Sequence, residues 1–319
     1  MPSLASPADR RTGLLYGLAA YLAWGLLPLY FRALHGVPPL EILAHRVVWS
    51  VLLLAGLTTL LRRWPEVVRP LATGRGRLTL LATTSLITVN WGVYIWAVHA
   101  GRVLEASLGY FINPLVNVLL GVLFLGEALS RRQRIAVALA GVGVAALVVS
   151  AGRLPWVALV LATSFGFYGL LRKRERVDAV AGLFSETALL APLAAGGLLW
   201  LAREGTGHLG GAPAVSALLV AAGLVTALPL IWFALGVQRL RLSTIGLLQY
   251  LAPTLQFAIA VFVFGERFTA AHAVAFACIW SSLALYTADV LTALRRVEAP
   301  LAAPAPAAGA APGPRPAPP

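Results

Sequence analysis

The sequence consists of ten long apolar stretches joined by short connections, the longest running from 62 to 77. A helix needs about 20 apolar residues to cross roughly 30 Å of hydrocarbon. Since lipid offers the backbone no hydrogen-bond partners, such stretches are expected to be helical. The sequence therefore predicts an all-α integral membrane protein with ten transmembrane helices. These spans are predicted at 13–32, 40–61, 78–98, 105–125, 134–150, 155–171, 179–201, 214–236, 244–264 and 272–294.

The composition excludes a soluble enzyme. Hydrophobic residues make up 59% of the chain and charged residues 12%, against about 45–50% and roughly 25% in soluble domains. The sequence contains no phosphate-binding Gly-Lys motif, no metal-spaced His/Cys set and no Gly-x-Ser-x-Gly elbow. We therefore expect no catalysis and no cofactor.

The positive charges predict the topology. The net charge of +13 is scattered between apolar stretches, which favours anionic lipid headgroups over nucleic acid as its neighbours. Assigned to alternate connections, 19 of the Arg and Lys residues lie on one side and six on the other. The positive-inside rule then predicts that both termini are cytoplasmic. Residues 1–12 form the N-terminal tail in this interpretation, and the Ala/Pro-rich residues 295–319 a disordered cytoplasmic tail.

The sequence contains an internal repeat. Adding 139 to a residue number maps 80–127 onto 219–266 without a gap. The third and fourth spans thus correspond to the eighth and ninth, and each half, 13–150 and 151–294, contains five spans. An odd number of spans inverts the second copy in the bilayer. The most informative matches are Pro114 with Pro253, Arg102 with Arg241, and Glu127 with Glu266.

Inverted repeats recur in secondary transporters, which bind substrate near the midplane between the halves and work by alternating access. The repeat is the main reason to predict transport. Another interpretation is a duplicated bundle that serves as a non-transporting membrane scaffold or sensor.

Polar side chains lie at mid-span in both halves. Tyr110, Asn113 and Asn117 share one face of the fourth span, and the repeat places Gln249 and Gln256 at corresponding positions. Each stripe surrounds a proline, so Pro114 and Pro253 are predicted hinges. The stripes line a cavity or bond helices to one another. The predicted cavity residues are Trp24, Asn90, Trp91, Tyr110, Asn113, Asn117, Tyr168, Gln249, Tyr250 and Gln256.

Few ionisable residues lie in the apolar stretches, and those that do are functional candidates. Glu41, His45 and Arg46 begin the second span, where they form either a gate or proton-coupling group or a structural ion pair at the outer interface. Glu186 lies seven residues into the seventh span. It is either a proton-coupling group or a protonated acid bonded to a neighbouring helix. Four further acids are interpreted as helix-end groups: Glu105, Glu127, Glu266 and Asp289.

Several strings in this sequence resemble the RarD branch of the EamA family, in the drug/metabolite transporter superfamily. The longest is Leu104-Glu105-Ala106-Ser107-Leu108-Gly109-Tyr110-Phe111-Ile112-Asn113-Pro114-Leu115. Others are Ala23-Trp24-Gly25, Glu41-Ile42-Leu43-Ala44-His45-Arg46, Asn90-Trp91 and Gln249-Tyr250. The resemblance implies a ten-helix, two-repeat fold with a cavity walled by spans 1, 3, 4, 6, 8 and 9. It also implies a permease of the bacterial cytoplasmic (inner) membrane, a role often labelled chloramphenicol-sensitive.

The sequence as a whole predicts a secondary-active transporter that exports small amphiphilic metabolites or drugs such as chloramphenicol. Coupling to protons is a hypothesis that rests on Glu186 and His45. An uptake permease would have the same fold and the opposite direction of flux.

Overall fold

The computed structural model describes residues 7–125, 131–151, 154–175, 178–237, 239 and 248–298, and every regular element in these ranges is helical. The first half contains α1 Pro7–Ala33, α2 Pro39–Leu60, α3 Trp64–Val68 with the 3₁₀ turn Arg69–Ala72, α4 Gly74–His99, α5 Val103–Leu125 and α6 Arg131–Ala151. The second half contains α7 Trp156–Glu175, α8 Ala179–Arg203, α9 Pro213–Val237, α10 Leu251–Ala258 with the π turn Ile259–Val263, and α11 Ala270–Glu298.

Five described segments are long and apolar enough to cross a membrane: Arg11–Ala33, Pro39–Leu60, Gly74–His99, Val180–Arg203 and Pro213–Phe233. Only 28–39% of the most apolar window in each is buried inside the protein. Large apolar side chains elsewhere are exposed too, such as Val149 at 82% and Phe262 at 80%. So much apolar surface is unfavourable in water and favourable in lipid.

Of the ten predicted spans, the ninth differs most from the helix that the structure shows there. Helix α10 begins at Leu251, and Gln249 and Tyr250 form a turn before it. Pro253 therefore lies in the first turn of a helix, where a missing N–H leaves no helical hydrogen bond unmade. Residues 244–247 of that span, together with Glu127 and Arg241, lie outside the described residues. Helix α11 continues four residues past the predicted boundary at 294, to Glu298.

Helices of the two halves pack directly on each other. α1 packs on α9 and α10, α2 on α8 and α9, α4 and α5 on α7, and α6 on α11. Two glycines allow the closest approaches. A Cβ atom at Gly109 would lie 2.7 Å from the Ala158 carbonyl oxygen across the α5–α7 contact, and one at Gly223 would lie 2.5 Å from the Trp49 carbonyl carbon across the α2–α9 contact. The largest buried cluster joins both halves and includes Phe31, Phe111, Leu161, Leu219 and Phe276.

Candidate functional site

A buried arginine lies among aromatic rings from neighbouring helices. Arg46 of α2 is 6% exposed, and its Nε donates to Thr226 Oγ1 of α9 at 2.8 Å. Its guanidinium carbon lies 4.4 Å from the centre of the Trp91 ring of α4 and 5.6 Å from that of Phe31 of α1. Both distances allow a cation–π interaction. Arg46 thus joins helices of both halves inside the apolar region.

Next to this arginine, α4, α5 and α7 contribute polar groups. The Tyr110 hydroxyl donates to Asn90 Oδ1 at 3.4 Å, and Asn90 Nδ2 donates to the Leu161 carbonyl and to Ser164 Oγ, each at 3.0 Å. The Tyr94 ring lies 5.6 Å from that of Tyr110. We call Arg46, Asn90, Trp91, Tyr94 and Tyr110 the central cluster. The structure therefore brings together three of the predicted cavity residues, Asn90, Trp91 and Tyr110.

Three other predicted cavity residues, Trp24, Asn113 and Gln256, make interhelical contacts. Gln256 Nε2 of α10 donates to the Trp24 carbonyl of α1 at 3.1 Å, and the Trp24 ring lies 5.6 Å from Phe233. Asn113 Nδ2 donates to the Ala162 carbonyl of α7 at 3.3 Å. Amides that donate to backbone carbonyls in this way hold membrane helices together.

The remaining predicted positions lie along α5 and at the start of α10. Gln249 and Tyr250 are half-buried, and Tyr250 packs against the main apolar cluster. Pro253 is buried, and its carbonyl accepts from Ser107 Oγ at 2.7 Å. Asn117 and Pro114 belong to α5, and their side chains lie outside the described residues.

Glu186 forms a second polar cluster, between α7 and α8. Its carboxylate is 1% exposed, and Oε2 accepts from the Tyr168 hydroxyl at 3.1 Å. Arg172 Nη1 lies 3.8 Å from Oε1, which is too long for a hydrogen bond. The arginine lies directly over Gly182, since a Cβ atom there would overlap its guanidinium. A cavity of about 30 Å³ touches Arg172 and Glu186 and has room for a water molecule.

Glu41, His45 and Arg46 do not form one group. Glu41 Oε1 accepts from the His208 backbone N–H at 2.7 Å, and Oε2 contacts His208 Nδ1 at 2.8 Å. His45 Nε2 lies 3.9 Å from Glu41, and His45 Nδ1 accepts from the Trp49 indole N–H at 3.2 Å. Glu41 therefore joins α2 to the connection between α8 and α9, while Arg46 reaches the central cluster.

Two further carboxylates cap helices of the opposite half. Glu266 accepts from the backbone N–H groups of Val103 and Leu104, at 2.7 and 2.9 Å, at the start of α5. Glu105 accepts from the Val157 N–H at 3.0 Å, at the start of α7, and pairs with Arg102. Burial raises the pKa of the Glu266 carboxyl, although the two N–H donors act to lower it. We call the contacts of Glu41, Glu105 and Glu266 the carboxylate links.

Comparison with known proteins decides the family. Residues 11–149 match the model of the EamA-like transporter family. The chain is 46% identical to Protein RarD of Escherichia coli over 289 residues, which cover 90% of this chain and 98% of that protein. The chain belongs to the EamA transporter family, in its RarD branch. It is a multi-pass membrane protein of a transporter family, and no enzyme family is indicated.

Other RarD relatives extend the comparison. A Vibrio cholerae protein named as an uncharacterized transporter is 51% identical over 89% of this chain and 95% of its own length. The chloramphenicol-sensitive protein RarD of Pseudomonas aeruginosa is 36% identical over 89% of this chain and 96% of its own length. A crystal structure at 22% identity has the same fold, with a TM-score of 0.52 over 90% of this chain and 99% of the other.

Sequence analysis missed two partners in this RarD-type transporter. His208, the partner of Glu41, lies in a connection where no helical periodicity relates it to α2. Arg172, the neighbour of Glu186, is one of the positive charges that lie between the sixth and seventh predicted spans and indicate the topology. Its position one turn after Tyr168, at i and i+4, is the signal that could have placed it beside Glu186.

Proposed function

We propose that this RarD-type protein is a secondary-active exporter of small amphiphilic metabolites or drugs, with chloramphenicol as one test substrate. In this proposal it works by alternating access in the bacterial inner membrane, with both termini in the cytoplasm. The central cluster is the observation that carries the proposal, because a cation, an amide and aromatic rings meet there inside an apolar bundle. Such mixed walls suit small amphiphilic ligands.

The proposal includes two inverted five-helix repeats, 13–150 and 151–294. Helix pairing supports them. If each half supplies five spans, the α1–α9 and α4–α7 contacts are equivalent, and so are the α5–α7 and α10–α1 contacts. The α2–α8 and α6–α11 contacts then each join two corresponding helices. This is the pattern of a two-fold axis between the halves, as in inverted-repeat transporters.

A groove on the outside of the bundle supports the proposal that the substrate is amphiphilic. It lies between α1 and α9, has a volume of about 260 Å³ and is lined by apolar side chains, Pro229, Trp232 and Tyr30. The Tyr30 hydroxyl donates to the Leu218 carbonyl at 2.7 Å, and Tyr30 precedes Phe31, a ring beside Arg46. In this proposal, apolar molecules in the lipid enter at the groove before they reach the central cluster.

The carboxylate links support the proposal of a gate, because each of them joins one half of the protein to the other. The carboxylates and the groups that they bond lie at the starts of α2, α5 and α7 and in two connections of the second half. By the positive-inside assignment this is the outer face, so the structure would correspond to an outward-closed state. Breaking these bonds would allow the halves to separate there, as alternating access requires.

Export is tested with cells that lack or overproduce the protein. Overproduction should lower intracellular chloramphenicol and raise resistance, and liposomes containing purified protein should transport the drug. Accumulation in overproducing cells would indicate uptake. The absence of flux for every compound in a broad panel, with folded protein in the liposomes, would favour the scaffold interpretation.

Replacing Glu186 with Gln should make transport indifferent to an imposed pH gradient. Glu186 is nearly inaccessible and has a phenol and a guanidinium beside it, so gaining or losing a proton there changes the balance of charge between α7 and α8. Gln has the same shape and cannot titrate. Substrate flux is measured in liposomes with and without the gradient.

The matched control is Glu66→Gln, since Glu66 forms an exposed pair with Arg63 and exposed pairs contribute little. It should retain the wild-type response to the gradient. A Glu186→Gln protein that still responds like wild type would remove Glu186 from the coupling mechanism.

A further inference from the structure

Arg46 is a buried cation without an anionic partner in the part of the chain that the structure describes. No described carboxylate lies within 4.0 Å of its guanidinium. Nε donates to Thr226, whereas the two Nη groups donate to no described residue. Glu41, five residues earlier on the same helix, is already bonded to His208. Among the described residues, the two Nη groups of the guanidinium thus have no acceptor.

Such an arrangement needs a reason. An uncompensated charge is strongly destabilised on leaving water, and a cation–π contact offsets only part of that cost. The Trp91 and Phe31 rings provide contacts of this kind. They attract a positive charge and supply no acceptor for the Nη donors. Ionisable residues inside membrane helices commonly mark substrate or ion pathways.

A second unused donor lies in the same cluster. The Tyr94 hydroxyl is buried and has no hydrogen-bond partner among the described residues. It lies within electrostatic range of Arg46, as do the hydroxyls of Tyr30 and Tyr110. The Arg46 guanidinium lies 4.4 Å from the centre of the Trp91 ring, and the Tyr94 ring lies 5.6 Å from that of Tyr110, so both donors belong to one aromatic cluster.

We propose that Arg46 determines a preference for anionic substrates, and that the preferred substrate carries a carboxylate on an aromatic or apolar body. This inference rests on the proposed transport function. The two Nη groups bind the carboxylate in the paired geometry that guanidinium favours. The Tyr94 hydroxyl donates a further hydrogen bond, and the aromatic rings pack on the apolar body.

The test compares two probes that differ mainly in charge, 3-phenylpropionate and its neutral amide, 3-phenylpropionamide. Wild-type protein in liposomes should transport the acid with the higher kcat/KM. Arg46→Gln should lower kcat/KM for the acid by about ten- to a hundredfold, the usual effect of losing hydrogen bonds to a charged group, and lower that for the amide by a smaller factor, so the preference for the acid falls. Arg46→Lys keeps the charge, loses the paired geometry and should fall in between.

Two further variants keep the test decisive. Arg32→Gln removes a cation that also lies over a ring, 5.5 Å from the Phe264 centroid, and should leave the preference for the acid unchanged. Tyr94→Phe removes one hydroxyl and keeps the ring, so it should reduce that preference even where Arg46 variants fail to fold.

The possible outcomes distinguish a failure of the anionic site from a failure of the proposed transport function. Equal transport of acid and amide by wild type, or transport of chloramphenicol with neither probe, overturns the anionic site and leaves export standing. An Arg46→Gln protein that loses acid and amide equally also overturns it. If folded protein transports neither probe, nor chloramphenicol, nor any compound of the broad panel, the transport function itself is overturned.

Discussion

Replacing Gly109 with alanine should destabilise the folded protein by about 3 kcal/mol, the upper end of the usual effect of overpacking. A Cβ atom at this position would lie 2.7 Å from the Ala158 carbonyl oxygen and 3.0 Å from its Cα. Both are backbone atoms, so α5 and α7 would have to move apart. That movement would strain the Asn113 and Glu105 hydrogen bonds across the same contact. Thermal unfolding of detergent-solubilised protein, followed by size-exclusion chromatography, measures the effect.

Gly169→Ala is the matched control. Gly169 lies on α7, and a Cβ atom there would meet nothing within 4 Å. Alanine favours a helix over glycine by up to about 1 kcal/mol, so this variant should be as stable as wild type or slightly more stable. Equal melting temperatures for the two variants would show that α5 and α7 do not approach as closely as the structure indicates.

Replacing Glu266 with alanine should lower the free energy of unfolding by about 2–3 kcal/mol. The substitution leaves the N–H groups of Val103 and Leu104 without their acceptors, and hydrogen bonds to charged groups contribute about 1.5–3 kcal/mol. The negative charge also lies at the positive end of α5. If the carboxylate links hold the outer face closed, the variant should also admit a thiol reagent to a cysteine introduced at Ser107 faster than the parent with the same cysteine.

Glu66→Ala supplies the comparison, because Glu66 is exposed and bonds only Arg63 among the described residues. Its stability should stay within about 0.5 kcal/mol of wild type. Glu266→Gln keeps an acceptor oxygen and removes the charge, so it should fall between wild type and alanine. A fully stable Glu266→Ala protein would mean that the start of α5 finds other acceptors.

The helices of this protein are predictable from sequence because lipid imposes a fixed length and requires the backbone to bond within itself. Most described boundaries lie within a few residues of the predicted spans. The start of α10 is the main difference. The sequence on both sides of Gln249 and Tyr250 is apolar, and hydropathy does not register a short turn inside an apolar stretch.

The composition of the site was predictable and its partners were not. Helical periodicity places Asn113 on a face, but it cannot say whether that face meets a cavity or the Ala162 carbonyl. The same limit applies to Glu41 and Arg46, which are five residues apart on one helix. Glu41 bonds a connection, whereas Arg46 belongs to the central cluster. Glu105 and Glu266 were predicted as helix-end groups, and each caps a helix other than its own.

The Glu266 cap also bears on how the protein is made. Helix α5 is synthesised 163 residues before the carboxylate that bonds its first N–H group. At about 5–20 residues per second, the ribosome takes roughly ten to thirty seconds to reach that glutamate. During this interval the N–H groups of Val103 and Leu104 lack the carboxylate that accepts from them in the folded protein. A nascent chain that stalls before Glu266 would leave the first half in the membrane without the acceptor for the start of α5.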